Sequence, residues 1–183
     1  MKIGVIGAGY LGSIHIKLLK NLKEFQLIGF FDSNHKQADT IQKEFGIAKY
    51  KDAESLMDAV DVIDIVSPTV SHFEYAKKSL LKGKHVFIEK PVTSSVAQAE
   101  ALIQIATQRC LKVQVGHVER FNPAFLAAKD FLDKPLFIET HRLAKFNPRE
   151  TSVSVVLDLM IHDIDIVLSI VNSAVANISA SGV

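Results

Sequence analysis

The stretch Ile3-Gly4-Val5-Ile6-Gly7-Ala8-Gly9-Tyr10-Leu11-Gly12 limits what this chain can fold into more than any other. Ile3 to Ile6 is an apolar run of strand length that breaks into Gly7-x-Gly9-x-x-Gly12. Helical periodicity follows at once through Leu11, Ile14, Leu18 and Leu22, which are expected to form the buried stripe. In a strand–turn–helix of this kind the glycines have separate tasks. Gly7 permits the tight turn, Gly9 lets the backbone approach a pyrophosphate, and Gly12 lets the helix pack closely on the strand. The free N–H groups of the helix start, around Gly7, Gly9, Tyr10, Leu11 and Gly12, then face the phosphates of a dinucleotide. A second strand, Gln26 to Phe31, ends in Asp32, twenty residues after Gly12, where a ribose-binding carboxylate belongs. That charge repels a 2′-phosphate, so NAD rather than NADP is the expected cofactor. No arginine follows in Ser33-Asn34-His35, and Lys36 is the one nearby cation that works against the choice.

The remainder of the first half alternates short apolar strands with helices. Asn34 to Phe45 reads as a surface helix stopped by Gly46, and Asp52 as the N-cap of a short helix over Ala53 to Ala59. Val62 to Val66 is the next strand, ending at Ser67-Pro68-Thr69. A helix over Ser71 to Leu81 follows, stopped by Gly83. His85 to Ile88 then runs as a strand into Glu89-Lys90-Pro91. Ser94 or Ser95 caps a long helix to Arg109, and Lys112 to Val115 closes the series. Such alternation specifies a Rossmann-type doubly wound parallel sheet, with ligands gathered at the carboxyl ends of the strands. The Gly7 loop, Asp32, Ser67-Pro68-Thr69, Glu89-Lys90 and Gly116-His117 all fall on that rim.

Residues 1–118 therefore form the dinucleotide-binding domain, and 119–183 the beginning of a smaller α+β substrate domain. In the latter, a helix is expected from Arg120-Phe121-Asn122-Pro123 to Leu132, an alternating strand within Pro135 to Phe146, a helix over Thr151 to Val171, and a strand from Ala176 to Val183. The Val153–Val171 segment is apolar almost all round, which predicts a buried helix. Asp158, His162, Asp163 and Asp165 interrupt it, so it is no membrane span.

Several residues carry chemistry that spacing alone leaves open. Lys90 at a strand end is either a hydrogen-bond partner of a substrate hydroxyl or a surface lysine. Asp158 and His162, four residues apart on a helix, form either a carboxylate-oriented proton carrier or a surface ion pair. His72 touches cofactor or caps a helix, while His117 and Arg120 follow the last strand, where a cation can grip a phosphate or carboxylate. His141, Arg142 and Arg149 are further candidates, and Cys110 reads as an inert packed thiol.

Composition excludes other classes. A net charge of +1 recommends neither nucleic acid nor an anionic membrane as partner. One cysteine allows no intrachain disulfide, and the chain enters a strand at once, so the cytoplasm is the expected location. Nor is a metal site expected, since there is no HExxH or cysteine cluster.

Together, the glycine motif with Asp32, Pro68-x-x-x-His72, Glu89-Lys90-Pro91 and Asp158-x-x-x-His162-Asp163 resemble the Gfo/Idh/MocA oxidoreductases over essentially the whole chain. The resemblance implies NAD-dependent oxidation of a secondary hydroxyl, with Lys90, Asp158 and His162 as the catalytic group and a cis Lys90–Pro91 peptide. It also implies cofactor contacts from Ser67, Pro68, Thr69, His72, Glu89 and Lys90, and substrate contacts from His117, Arg120, Asn122, Arg149 and His162. Gly116 to Pro123, His141-Arg142, Phe146 to Arg149 and Val156 to Asp165 look most like the branch that oxidises the 3-hydroxyl of UDP-N-acetylglucosamine. Members are normally longer, and an open sheet completes their second domain, lining the substrate pocket and a homo-oligomer interface. Alternatives are a dehydrogenase of a free polyol such as an inositol, or an NAD-binding regulatory protein without turnover.

Overall fold

A computed structural model of the chain describes residues 1–143 and 153–182. The chain divides into two units, Met1–Gly116 and His117–Val183.

In the first unit, β1 (Lys2–Ile6), β2 (Gln26–Phe31), β3 (Val62–Ile65), β4 (His85–Ile88) and β5 (Val113–Val115) form one parallel sheet in the order β2-β1-β3-β4-β5. Phe30 also forms a parallel bridge to Lys49, with Phe30 N–H donating to Ala48 and Tyr50 N–H to Phe30. Counted as a one-residue strand, Lys49 completes the dinucleotide-fold order in which the third strand flanks the second. Sequence pattern could not show this strand, because a single bridge has no periodicity. Around the sheet lie α1 (Tyr10–Leu19), α2 (His35–Phe45), α3 (Ala53–Ala59), α4 (Thr69–Leu81) and α5 (Val96–Gln108). The caps follow local chemistry: the side chains of Asn34, Asp52 and Ser95 accept the N–H groups of Gln37, Ser55 and Gln98. Gly46 ends α2 in the left-handed conformation. β3 is buried along its whole length, as a central parallel strand covered on both faces must be.

Two expectations for this unit need correction. The buried face of α1 is Gly12, Ile16 and Leu19, whereas Leu11, Ile14, Leu18 and Leu22 are exposed. Close packing of Gly12 on the Gly7 turn fixes the rotation of the helix and carries Ile16 and Leu19 to the sheet, which overrides the stripe with more leucines. Cys110 is exposed rather than packed, and it takes the left-handed position (φ 53°) just beyond α5.

In the second unit, a 3₁₀ turn (Val118–Phe121) leads into α6 (Pro123–Ala128) and a further turn at Lys129–Phe131. A π-helical turn, Val156–Met160, runs into α7 (Ile161–Ile170). The strands expected within Pro135 to Phe146 and from Ala176 are not formed among the described residues. Alternation becomes a ladder only where a neighbouring strand takes up the backbone N–H and C=O groups, and none lies here among the described residues. The helix over Val153–Val171 is not buried either: Asp165 is the buried residue of α7, and Val156, Met160, Ile164 and Leu168 are exposed.

Candidate active site

The glycine loop is shaped by contact. Gly7 has φ +94°, and a Cβ there would lie 2.6 Å from the Ser67 nitrogen, so this turn abuts the end of β3. A Cβ on Gly12 would lie 2.0 Å from the Gly7 carbonyl oxygen, so the helix start sits directly on the turn. At Gly9 a Cβ would meet nothing within 4 Å. The open side of Gly9, beside the free N–H groups of α1, fits the pyrophosphate of a dinucleotide. Tyr10 and Leu11, in the first turn, are exposed.

Asp32 extends from the end of β2 beside this loop. Its Oδ2 accepts the Ala8 N–H at 2.7 Å and its Oδ1 the Asn34 N–H at 2.7 Å. Gln37 Nε2 donates to the Ala8 carbonyl at 3.0 Å. The carboxylate is thus fixed, and each oxygen keeps a second lone pair for a ribose hydroxyl.

At the next strand end, Ser67 and Ser71 share a hydroxyl–hydroxyl bond of 2.8 Å, and Thr69 begins α4 directly after Pro68. His72 is fully buried. One ring nitrogen lies 2.9 Å from the Pro91 carbonyl oxygen and the other 2.7 Å from that of Ser67. It neither caps α4 nor reaches the surface; it ties the β3 loop to the β4 loop. The Lys90–Pro91 peptide held by that tie is cis, as the resemblance implied. Lys90 is half-buried at the end of β4.

Glu89 faces inward. Its side chain is buried, with Oε1 3.3 Å from His15 Nε2 and Oε2 accepting the Lys90 N–H at 3.2 Å. His15 Nδ1 lies 2.9 Å from Asp64 Oδ2. Burial alone would push this imidazole down. Its hydrogen bonds to Asp64 and Glu89, and then the charges of these carboxylates, outweigh it and raise His15 to about 9. Burial pushes the Asp64 carboxyl up, with the Glu89 charge adding to it and the His15 bond opposing. Sequence reasoning missed His15 and Asp64. Each looks like an isolated polar residue in an apolar element, and the 49 positions that separate them hide their contact.

In the second unit, Asp158 lies inside the π turn and His162 is the second residue of α7. Arg120 grips Asp165 through two bonds of 2.6 Å, and His117 Nδ1 stands 3.8 Å from the same carboxylate. The Arg120 bonds hold the Asp165 carboxyl below its ordinary range. Arg142 grips Asp163 in the same fork, at 2.8 and 2.9 Å. Asn122 caps α6 by accepting the Ala124 N–H at 3.0 Å. Here Arg120 and Asn122 brace the unit's own elements. His141 pairs with Glu139 at 2.8 Å, and Arg149 lies outside the described residues.

Residues 1–117 match the model of an oxidoreductase family described by its NAD-binding Rossmann fold. The chain belongs to the Gfo/Idh/MocA oxidoreductase family. UDP-N-acetylglucosamine 3-dehydrogenase of Acidithiobacillus ferrooxidans is 37% identical over 185 aligned residues, covering 100% of this chain and 58% of that protein. A solved structure of that enzyme superposes with a TM-score of 0.90 at 34% identity, covering 100% of this chain and 61% of that one. The scyllo-inositol 2-dehydrogenase (NAD(+)) of Bacillus subtilis is 29% identical over 195 aligned residues, covering 100% of this chain and 57% of that protein. The chain thus spans less than two thirds of the length of these relatives.

Proposed function

We propose that this chain supplies the cofactor-binding and catalytic residues of an NAD-dependent dehydrogenase that oxidises a secondary hydroxyl of a sugar or nucleotide sugar, with the 3-hydroxyl of UDP-N-acetylglucosamine as the first candidate. The observation that carries this reading is the position of Lys90. It stands at the carboxyl end of β4, on the strand-end rim that also holds the Gly7 loop and Asp32. The whole-chain similarity to a UDP-N-acetylglucosamine 3-dehydrogenase supports the substrate.

The reaction removes a hydride from carbon and a proton from the hydroxyl. Bound NAD supplies the hydride acceptor. Asp32 accepts the ribose hydroxyls, and the first-turn N–H groups of α1 receive the pyrophosphate. Lys90, as a cation, hydrogen-bonds the reacting oxygen and stabilises negative charge developing on it. His162 takes the hydroxyl proton, with Asp158 orienting its ring, and Lys90 is the alternative base. The products are a keto sugar, the reduced cofactor and a protonated base.

The full alignment to an inositol dehydrogenase favours a second reading, in which the alcohol is a free polyol. Incubating the protein with NAD and a panel of UDP-N-acetylglucosamine, free hexoses and inositols separates the two. NADH formation with the nucleotide sugar alone is expected. Turnover confined to inositols would replace the first reading by the second. NAD binding without turnover on any member would leave a binding protein.

A further inference from the structure

The unexplained feature of the first unit is a group of three ionisable side chains from three elements, two of them buried and His15 half-buried. His15 comes from α1, Asp64 from β3, and Glu89 from the end of β4. Asp64 and Glu89 are only 3% and 6% exposed. Buried carboxylates with no countercharge are costly, and removing the one cation between them leaves two facing anions. Both ring nitrogens of His15 point at carboxylate oxygens, which can only accept. A ring bearing two N–H groups satisfies both, and the rise of His15 to about 9 keeps it in that form at neutral pH. Among the described residues no group of His, Cys, Asp and Glu is arranged to hold a metal ion.

The connections of Glu89 give the group its direction. One oxygen faces His15, and the other accepts the backbone N–H of Lys90. On its remaining side lies Gly116, where an added Cβ would come within 2.6 Å of Oε1. The Phe87 ring closes the space edge-on to the imidazole, at 5.9 Å. Glu89 is therefore wedged, and what it holds is the peptide from which Lys90 projects. His15 lies on α1, the same helix whose first turn forms the glycine cradle.

We propose that His15 is a positioning residue, which by bridging Asp64 to Glu89 fixes the end of β4 and so sets where Lys90 stands relative to the dinucleotide cradle. This rests on the reading of Lys90 as the residue that meets the reacting oxygen.

The test is His15→Gln, which keeps much of the side-chain bulk and one donor nitrogen but puts an acceptor oxygen in place of the second and removes the charge. Turnover, substrate KM and NAD affinity are measured beside the NMR chemical shifts of the isotope-labelled Lys90 side chain. Turnover is expected to fall about tenfold to a hundredfold, as for a reacting group displaced by an ångström or less, with NAD affinity changed less than about twofold. The Lys90 side-chain signals should move, because Glu89 no longer holds the peptide from which Lys90 projects. Unchanged turnover, or unmoved Lys90 signals in a folded variant, overturns the inference. If no substrate in the panel turns over in the unmutated protein, the functional reading fails and the Lys90 signals alone decide this one. Should His15→Gln not fold, His15→Gln/Asp64→Asn removes a buried anion together with the cation, and the same two readouts apply.

Discussion

Asp32 shows how a charged residue can be committed to the fold and still serve a ligand. Backbone donors Ala8 and Asn34 hold one lone pair of each oxygen, so the carboxylate is oriented before a ribose arrives. Asp32→Asn should weaken NAD binding about tenfold, the scale of a charge-assisted hydrogen bond, and should narrow the preference over NADP. Calorimetric titration with both cofactors measures this; an unchanged preference would remove Asp32 from the ribose site. His162 and Lys90 make a complementary prediction. His162→Ala should lower turnover by roughly two or more decades, as for a lost general base, with NAD affinity nearly unchanged. Lys90→Ala should behave alike, with an added rise in substrate KM. Near-normal turnover of His162→Ala at every pH would reduce it to a structural residue.

Among the elements, α1 does the most for the site. Its N-terminus is pressed onto the Gly7 turn through Gly12, its second turn carries His15, and Ile16 and Leu19 seat it on the sheet. Gly12→Ala would drive a methyl group to 2.0 Å from the Gly7 oxygen, a backbone atom that cannot move without opening the turn. The substitution should cost at least about 3 kcal/mol and remove NAD binding. Denaturant titration and cofactor titration together test it, and a stable variant that binds NAD normally would contradict the packing described. The exposed stripe of Leu11, Ile14, Leu18 and Leu22 shows that apolar content alone does not choose a helix face. Shape at the contact chose it.

Across the whole molecule, the half-buried His15 makes stability depend on pH. Its proton affinity is raised by folding, from 6.5 to about 9. The stabilisation from the proton is then complete below about 6.5 and is lost as pH rises through about 9. The charged groups facing the ring are Asp64 and Glu89, and Phe87 presents an uncharged edge. Thermal unfolding should therefore show the first unit weakening between about pH 7 and pH 9.5, and His15→Gln should flatten that slope. A slope equally steep in the variant would assign it elsewhere. In the second unit, Leu136, Phe137, Leu143, Val175 and Ile178 are exposed. Exposed apolar side chains of this number in one unit favour a partner, so the protein should self-associate above micromolar concentrations. A clean monomer by light scattering would count against it.

The strand–glycine–helix opening, the helix caps at Asn34, Asp52 and Ser95, and the run of β3 to β5 were legible along the chain. Each depends on residues within a few positions of one another. The family resemblance was legible for the same reason, being carried by four short motifs. The tertiary structure alone decided which face of α1 is buried, that Lys49 adds a strand, and that Pro135 onward forms no ladder among the described residues. It also decided that His72 joins two loops and that Glu89 turns inward to His15 and Asp64. These outcomes depend on which distant segments come within van der Waals or hydrogen-bond range, and periodicity carries no record of a neighbour 49 positions away.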